Sequence, residues 1–207
     1  MIPLSVPNLK GNESIYLKNC IDTEWVSSVG KYVNDFEFQI AKYTGTKYAV
    51  ACSSGTAALQ LSLIAVGVEP DDEVIVPTMT FIATPNSVSY LNANPVFLDC
   101  DKYLNIDIEK LETFFKEETY YKDGSTFNKL SNKKISAIIP VHVSGNAVDM
   151  ESIVSICEHR NIKIVEDAAE AMGTKYLEGK YKNRHAGSIG LVGCLSFNGN
   201  KIITSGG

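Results

Sequence analysis

Apolar positions recur at helical spacing near the start of the chain, then change to an alternation of strands and helices from residue 47 onward. Residues 11–23 read as a weakly amphipathic helix, and 25–31, WVSSVGK, as a glycine-containing loop. Val33, Phe36, Ile40 and Tyr43 fall on one helical face, and Gly45 is a natural stop. Beyond it, short apolar runs bounded by glycine, proline or small polar residues predict strands at 48–52, 73–76, 95–98, 135–140, 162–166 and 191–197. Residues 57–66, 83–91, 108–116 and 150–160 read as the helices between them, with Asp107 and Asp149 placed to cap the last two. The polar stretch 117–134 reads as an exposed excursion, and 173–187 as a hairpin-like region. Strands joined by crossover helices predict an α/β fold, a mostly parallel sheet with helices on both faces. The change of pattern divides the chain into an N-terminal helical segment, 1–46, and an α/β domain, 47–207.

In such sheets ligands sit beyond the carboxyl ends of the strands. The predicted strands send a defined set of residues to that edge. Ser53-Ser54-Gly55-Thr56 follows the first, and Thr78, Thr80 and Phe81 follow the second. His142 follows the fourth, Asp167 the fifth with Glu170 one turn on, and Ser196 and Lys201 the last.

Composition narrows the classes of function. Hydrophobic residues make up 44% and charged residues 21%, ordinary values for a soluble globular protein. A net charge of -5 offers no basic footprint for nucleic acid. The N-terminal residues carry no charged segment followed by a long apolar core, and the most apolar stretch, 57–68, is too short to span a bilayer. Neither nucleic acid nor membrane is therefore an expected partner. The five cysteines are scattered without a CxxC pair, which predicts buried reduced thiols in a cytoplasmic protein.

The edge residues suit one chemistry when taken together. A lysine beyond a buried strand, between small polar residues, loses solvation; its pKa falls and the free amine becomes a Schiff-base nucleophile. A solvated turn lysine is the plainer alternative. The turn 53–56 opens a helix whose free amides favour an anion, or is simply an N-cap. Asp167 closes an apolar strand and must be solvated or paired there. Phe81 is either a flat wall for a ring or core filling. Pyridoxal phosphate (PLP) needs this combination: a lysine for its aldehyde, a phosphate cradle, a carboxylate for the ring nitrogen and an apolar surface.

The motifs SSGTAAL (53–59), VIVPTMTFIAT (74–84), NPVFLDCD (94–101), PVHVSGNAVDM (140–150), VEDAAEAMG (165–173) and SFNGNKIITSGG (196–207) stand in this order. Over about Pro3 to Gly207 the chain resembles the DegT/DnrJ/EryC1/StrS sugar aminotransferases, which are fold-type-I PLP enzymes. The resemblance implies that Lys201 is the aldimine lysine and Asp167 the partner of the pyridine nitrogen. It implies that Gly55, Thr56 and Ala57 supply phosphate-binding amides, that Ser196 meets the phosphate and that Phe81 stacks on the ring. Glu170 stands where many relatives have Gln or His, near the cofactor's 3-oxygen. His142 is a satisfied loop histidine or a substrate contact.

The polar excursion, VHVSGNAVDM and EDAAE together resemble the legionaminic-acid and bacillosamine subgroup. That implies amino transfer, usually from glutamate, to C4 of a UDP-linked 4-keto-6-deoxy-N-acetyl sugar for bacterial surface glycans, in a homodimer. Relatives that are dehydratases carry histidine in place of the lysine, so Lys201 argues against that branch. The chain ends six residues after Lys201, where relatives continue into a small C-terminal domain, so a truncated record or a fragment is expected. The competing readings are another fold-type-I enzyme, a sugar dehydratase or lyase, and an inactive ligand-binding fragment.

Overall fold

The computed structural model describes residues 6–25 and 27–206. Pro3 and Gly207, the ends of the family resemblance, and Val26 of the 25–31 loop lie outside the described residues. Two helices open the chain, α1 (Glu13–Asp22) and α2 (Lys31–Thr44), the second closed by Gly45 in the left-handed region at φ 74°. Helix α3 (Gly55–Ala65) is capped by Ser54, whose hydroxyl accepts from the Ala57 amide. Strand β1 (Glu73–Pro77), helix α4 (Ala83–Ser89) and strand β2 (Asn94–Leu98) follow. Asp107 caps α5 (Ile108–Glu117) and Asp149 caps α6 (Met150–Glu158), each through the amide three residues on. Between those two helices lie β3 (Thr119–Lys122), β4 (Ser125–Asn128) and β5 (Lys134–Ile138); β6 (Lys163–Asp167) and β7 (Val192–Cys194) come after α6.

Strands β2, β1, β5, β6 and β7 are neighbours in that order, and all of these pairings are parallel. The two-residue side-chain period of a strand sorts the core into two layers. Val74, Val76, Ala137, Ile139 and Val165 pack with Leu59 and Leu63 of α3 and Val88 of α4. Ile75, Ile138 and Ile164 face the other way, onto Leu111 and Phe115 of α5 and Met150, Ile153 and Ile156 of α6. Both faces of the sheet are thus covered, and each fully buried aliphatic side chain contributes about 1.5–3 kcal/mol. Helix α2 joins this body through the Phe36 ring, edge-on to Phe197 at 4.9 Å, and through Glu37, which accepts from the Ala51 amide at 2.8 Å.

Three sequence expectations change. Residues 48–52 do not form a strand; the segment has no regular secondary structure, and Tyr48 and Val50 are 74% and 79% exposed. A strand needs a ladder partner for its backbone groups, and no described strand runs beside this segment. The polar stretch 117–134 is largely exposed, but it is ordered as the antiparallel hairpin β3–β4, turning through Asp123 and Gly124 at positive φ. It adds to the same edge of β5 that β6 uses further along, and Glu73 anchors it by accepting from Asn128 Nδ2 and Ser131 Oγ. Of the five free cysteines, only Cys157 and Cys194 are buried, because the remaining three lie outside the strand and helix faces turned to the core.

Gly193 lies in β7 against the loop that precedes it, where a Cβ would stand 1.9 Å from the Gly187 carbonyl oxygen. Relief of that overlap requires backbone movement. Gly193→Ala is expected to cost at least about 2 kcal/mol and to lower the melting temperature by about 4 °C or more. Thermal unfolding followed by circular dichroism checks this, and an unchanged melt would show that the 187–194 packing is looser than described.

Candidate functional site

The carboxyl ends of β1, β5, β6 and β7 lie along one edge of the parallel sheet, where the N-terminus of α3 meets the residues after β7, and the side chains there form two coupled layers. The deeper layer is Glu166, fully buried near the end of β6. Its Oε2 accepts from His142 Nε2 at 3.0 Å and from the Gly187 amide at 2.8 Å. Its Oε1 accepts from the Ile189 and Gly190 amides, both at 2.6 Å. Burial works against the charge, but the His142 bond and the amide donors outweigh it and hold the carboxyl below its ordinary value. His142 Nδ1 accepts from the Val148 amide at 3.1 Å, which leaves the ring proton on Nε2, facing Glu166.

Asp167, the next residue, points to the opposite face and is 5% exposed. Oδ2 accepts from Thr84 Oγ1 at 2.7 Å, and Oδ1 from the Ala169 amide at 3.1 Å. Burial raises its pKa, and these donors, with the nearby charge of Lys201, offset part of that rise. Above it, in the loop after β7, Lys201 reaches Glu170 Oε1 with its Nζ at 3.1 Å; only 18% of the lysine side chain is exposed. Glu170 Oε2 accepts from the Ser144 amide at 2.9 Å. Burial opposes the Glu170 charge, but Lys201 and the Ser144 amide more than compensate, and the carboxyl is held below its usual value. The lysine is therefore an ion-pair partner, where the sequence reading had a lone desolvated amine.

The third component is the entrance of α3. A Cβ on Gly55 would lie 3.3 Å from Ser196 Cβ and 3.5 Å from Ser196 Oγ, so a bare glycine keeps the helix end and that hydroxyl on opposite sides of a narrow gap. Among the described residues, no protein acceptor meets the Gly55 and Thr56 amides, and no protein group engages the Thr56 and Ser196 hydroxyls. The Ala57 amide is already taken by the Ser54 cap. Cys194 and Ser62, in sulfur–oxygen contact at 3.2 Å, tie β7 to α3 and fix this approach.

Phe81 stands at the rim just before α4, 76% exposed, which excludes the core-filling alternative. His142 has no exposed side-chain surface and both ring nitrogens are occupied, so the geometry favours a satisfied loop histidine over a substrate contact. The structure thus gathers Gly55, Thr56, Ser196, Asp167, Glu170 and Lys201 at one rim, with Phe81 a turn of chain from the Asp167 partner Thr84. Sequence reading missed Thr84, Glu166 and the Ser144 amide. A glutamate inside the apolar run IKIVED was a visible signal for the second; the other two depend on contacts between distant segments.

The family model described as DegT/DnrJ/EryC1/StrS aminotransferase family matches residues 7–207. The chain belongs to this family. It is 42% identical over 206 residues to a GDP-perosamine synthase from Caulobacter vibrioides, covering 99% of this chain and 50% of that protein. Among solved structures it resembles an aminotransferase from Psychrobacter cryohalolentis, with 33% identity, a TM-score of 0.83, and coverage of 99% of this chain and 47% of the other. It also resembles the GDP-4-keto-6-deoxy-D-mannose-3-dehydratase of E. coli with bound hydrated PLP, at 28% identity and a TM-score of 0.79, covering 98% and 48%. The chain spans about half the length of the curated relatives it matches. Its architecture is that of the fold-type-I large domain, and PLP is the cofactor of the family.

The residues present fit that cofactor. Two free amides at a helix N-terminus and two free hydroxyls suit a phosphate. A buried carboxylate, a lysine at the rim and an uncovered aromatic supply the remaining needs. Among the described residues, no cluster of His, Cys, Asp and Glu could hold a metal ion, and no helix is long and apolar enough to cross a membrane.

Glu166→Gln would turn an amide NH₂ toward N–H donors whichever way it is placed, since both carboxylate oxygens accept two bonds. The expected cost is about 3–5 kcal/mol at neutral pH. A depressed folded-state pKa means the wild-type advantage is fully present above the ordinary value of 4.5 and is lost as pH falls through the lowered one. Denaturant unfolding at several pH values should show the wild-type–variant gap closing in acid; a gap independent of pH would mean the carboxylate charge does not matter.

Proposed function

We propose that this protein is a PLP-dependent aminotransferase that moves an amino group from an amino acid, glutamate being the expected donor, to the C4 ketone of a nucleotide-linked 4-keto-6-deoxy sugar in bacterial surface-glycan synthesis. The observation that carries the reading is the meeting of Lys201, Asp167 and the open α3 entrance at one rim. The resemblance had implied a UDP-linked N-acetyl sugar. The Caulobacter relative is named for GDP-perosamine, and that supports a GDP-linked sugar instead. The dehydratase among the solved relatives keeps a second outcome in view, but Lys201 favours amino transfer. A homodimer belongs to the same reading, and exposed Ile15, Leu17 and Ile21 on α1 are apolar surface suited to a partner subunit.

When bound, PLP supplies an aldehyde carbon and a ring that accepts electrons. The chain's own residues would do the rest. Gly55 and Thr56 would bind the phosphate through their amides, joined by the Thr56 and Ser196 hydroxyls. Ala57 would contribute through the helix dipole, because its amide is committed to Ser54. Asp167 would hold a proton on the ring nitrogen; its burial from water strengthens that bond. Phe81 would cover one ring face. Lys201 would carry a proton between the substrate carbon and the cofactor, and Glu170, in reach of Nζ, would hold it in place between steps.

Borohydride reduction of the full-length, PLP-treated protein should leave a stable mass increment on the peptide containing Lys201. The purified protein should also convert glutamate and GDP-4-keto-6-deoxymannose to an aminated nucleotide sugar. Lys201→Ala is expected to lose the increment and to reduce turnover by about 10³-fold or more. Glutamate consumption without aminated sugar would favour a different substrate class; a mass increment that persists in the variant would remove Lys201 from its role.

A further inference from the structure

Two hydroxyls outside the family-matched site roles form a line to the buried carboxylate. Thr80, half-buried at the rim, lies 2.7 Å from Thr84 through their Oγ1 atoms. Thr84 is fully buried, and its Oγ1 lies 2.7 Å from Asp167 Oδ2. An ionised carboxylate can only accept, so Thr84 gives its proton to Asp167 and must accept from Thr80. The direction Thr80 to Thr84 to Asp167 is therefore imposed by the charge. A protonated Asp167 would lift that constraint, because the acid can either donate or, through its carbonyl oxygen, accept.

The same two threonines bracket Phe81. Thr80 precedes it, and the Thr84 amide donates to the Phe81 carbonyl at 3.1 Å. The segment that carries the aromatic is thus fastened to the carboxylate beneath the ring site by the hydroxyls on either side of it. We propose that Thr80 and Thr84 are positioning residues, a directed hydroxyl relay that keeps Asp167 ionised and oriented and couples its place to that of Phe81.

The proposal rests on the reading of Asp167 as the ring-nitrogen partner, but its physical core concerns the carboxyl alone. Asp167 faces Thr84 from α4, His142 from the loop after β5, Cys194 from β7 and Lys201 from the loop after β7, with Glu166 beside it on β6. Burial favours the neutral acid, Thr84 is the strongest opposing bond, and Lys201 and the Ala169 amide act in the same sense as Thr84. Removing the Thr84 hydroxyl leaves burial less opposed, and the midpoint of Asp167 must rise.

The test is a pH titration of ¹³C-labelled aspartate carboxyls in the full-length, cofactor-free protein, with Asp167 identified by the resonance lost in Asp167→Asn. Thr84→Val keeps the shape and removes the hydroxyl. It is expected to raise the Asp167 midpoint by about one unit and to weaken PLP binding, followed by fluorescence, about tenfold. Thr84→Ser should titrate and bind like wild type, and Thr80→Val should shift the midpoint in the same direction by less. If Thr84→Val does not fold, Thr80→Val at the half-buried end decides the question. An Asp167 midpoint unmoved by removal of either hydroxyl, or a Thr84→Ser that behaves like Thr84→Val, overturns the relay. If the relay holds but Asp167→Asn binds PLP as tightly as wild type, the failure belongs to the role assigned to Asp167.

Discussion

A fully buried carboxylate, Glu166, is the constraint around which the rim is assembled. A charge taken out of water must be met on every side, and this one accepts four bonds: one from His142 and three from the amides of Gly187, Ile189 and Gly190. Those amides belong to the loop that leads into β7. By gathering them, Glu166 fixes where β7 starts and hence the register that sets Asp167 opposite Cys194. Ser196 and Lys201 follow that pairing by a few residues, so their place at the rim depends on the satisfaction of one carboxylate on the neighbouring strand.

Adjacent residues on β6 meet opposite fates because strand side chains alternate. Glu166 is directed to the loop side, where amides are plentiful, and stays charged below its usual pKa. Asp167 is directed to the α3–α4 layer, where a hydroxyl and a single amide must serve, and its pKa is raised. Two carboxylates thus acquire different acid strengths from the same stretch of backbone. Glu170, beyond the strand end and half-exposed, takes a third condition: it is ionised and shares itself between the Ser144 amide and the Lys201 ammonium. A neutral glutamine or histidine at that position could not form the ion pair, so the charge on Lys201 is balanced here by the chain itself.

Much of this was legible before any coordinates. Helix caps are contacts three residues apart, so Ser54, Asp107 and Asp149 could be read as such. The strand containing Val74, the helix α6 and the glycine stop at Gly45 follow from period and turn chemistry, which are also local. Asp-Gly at 123–124 was an available hairpin signal, but the surrounding Lys, Asn and Ser residues concealed it. Residues 48–52 have the composition of a strand and lack a described neighbour, and no local pattern reveals whether a ladder partner exists. Exposure of Cys52 was misjudged for the same reason: it depends on what other segments place beside it.

The sequence by itself determined the α/β alternation, the family and the residue types that reach the carboxyl edge, because periodicity, caps and ordered motifs are properties of neighbouring residues. Only the tertiary structure decided that Lys201 is paired with Glu170, that Glu166 gathers the loop before β7, and that Thr84 stands over Asp167. Those contacts join residues 21 to 83 positions apart. Such distances close only when the sheet has set its register and buried both faces, and until then burial, the quantity that shifts each acid, does not exist.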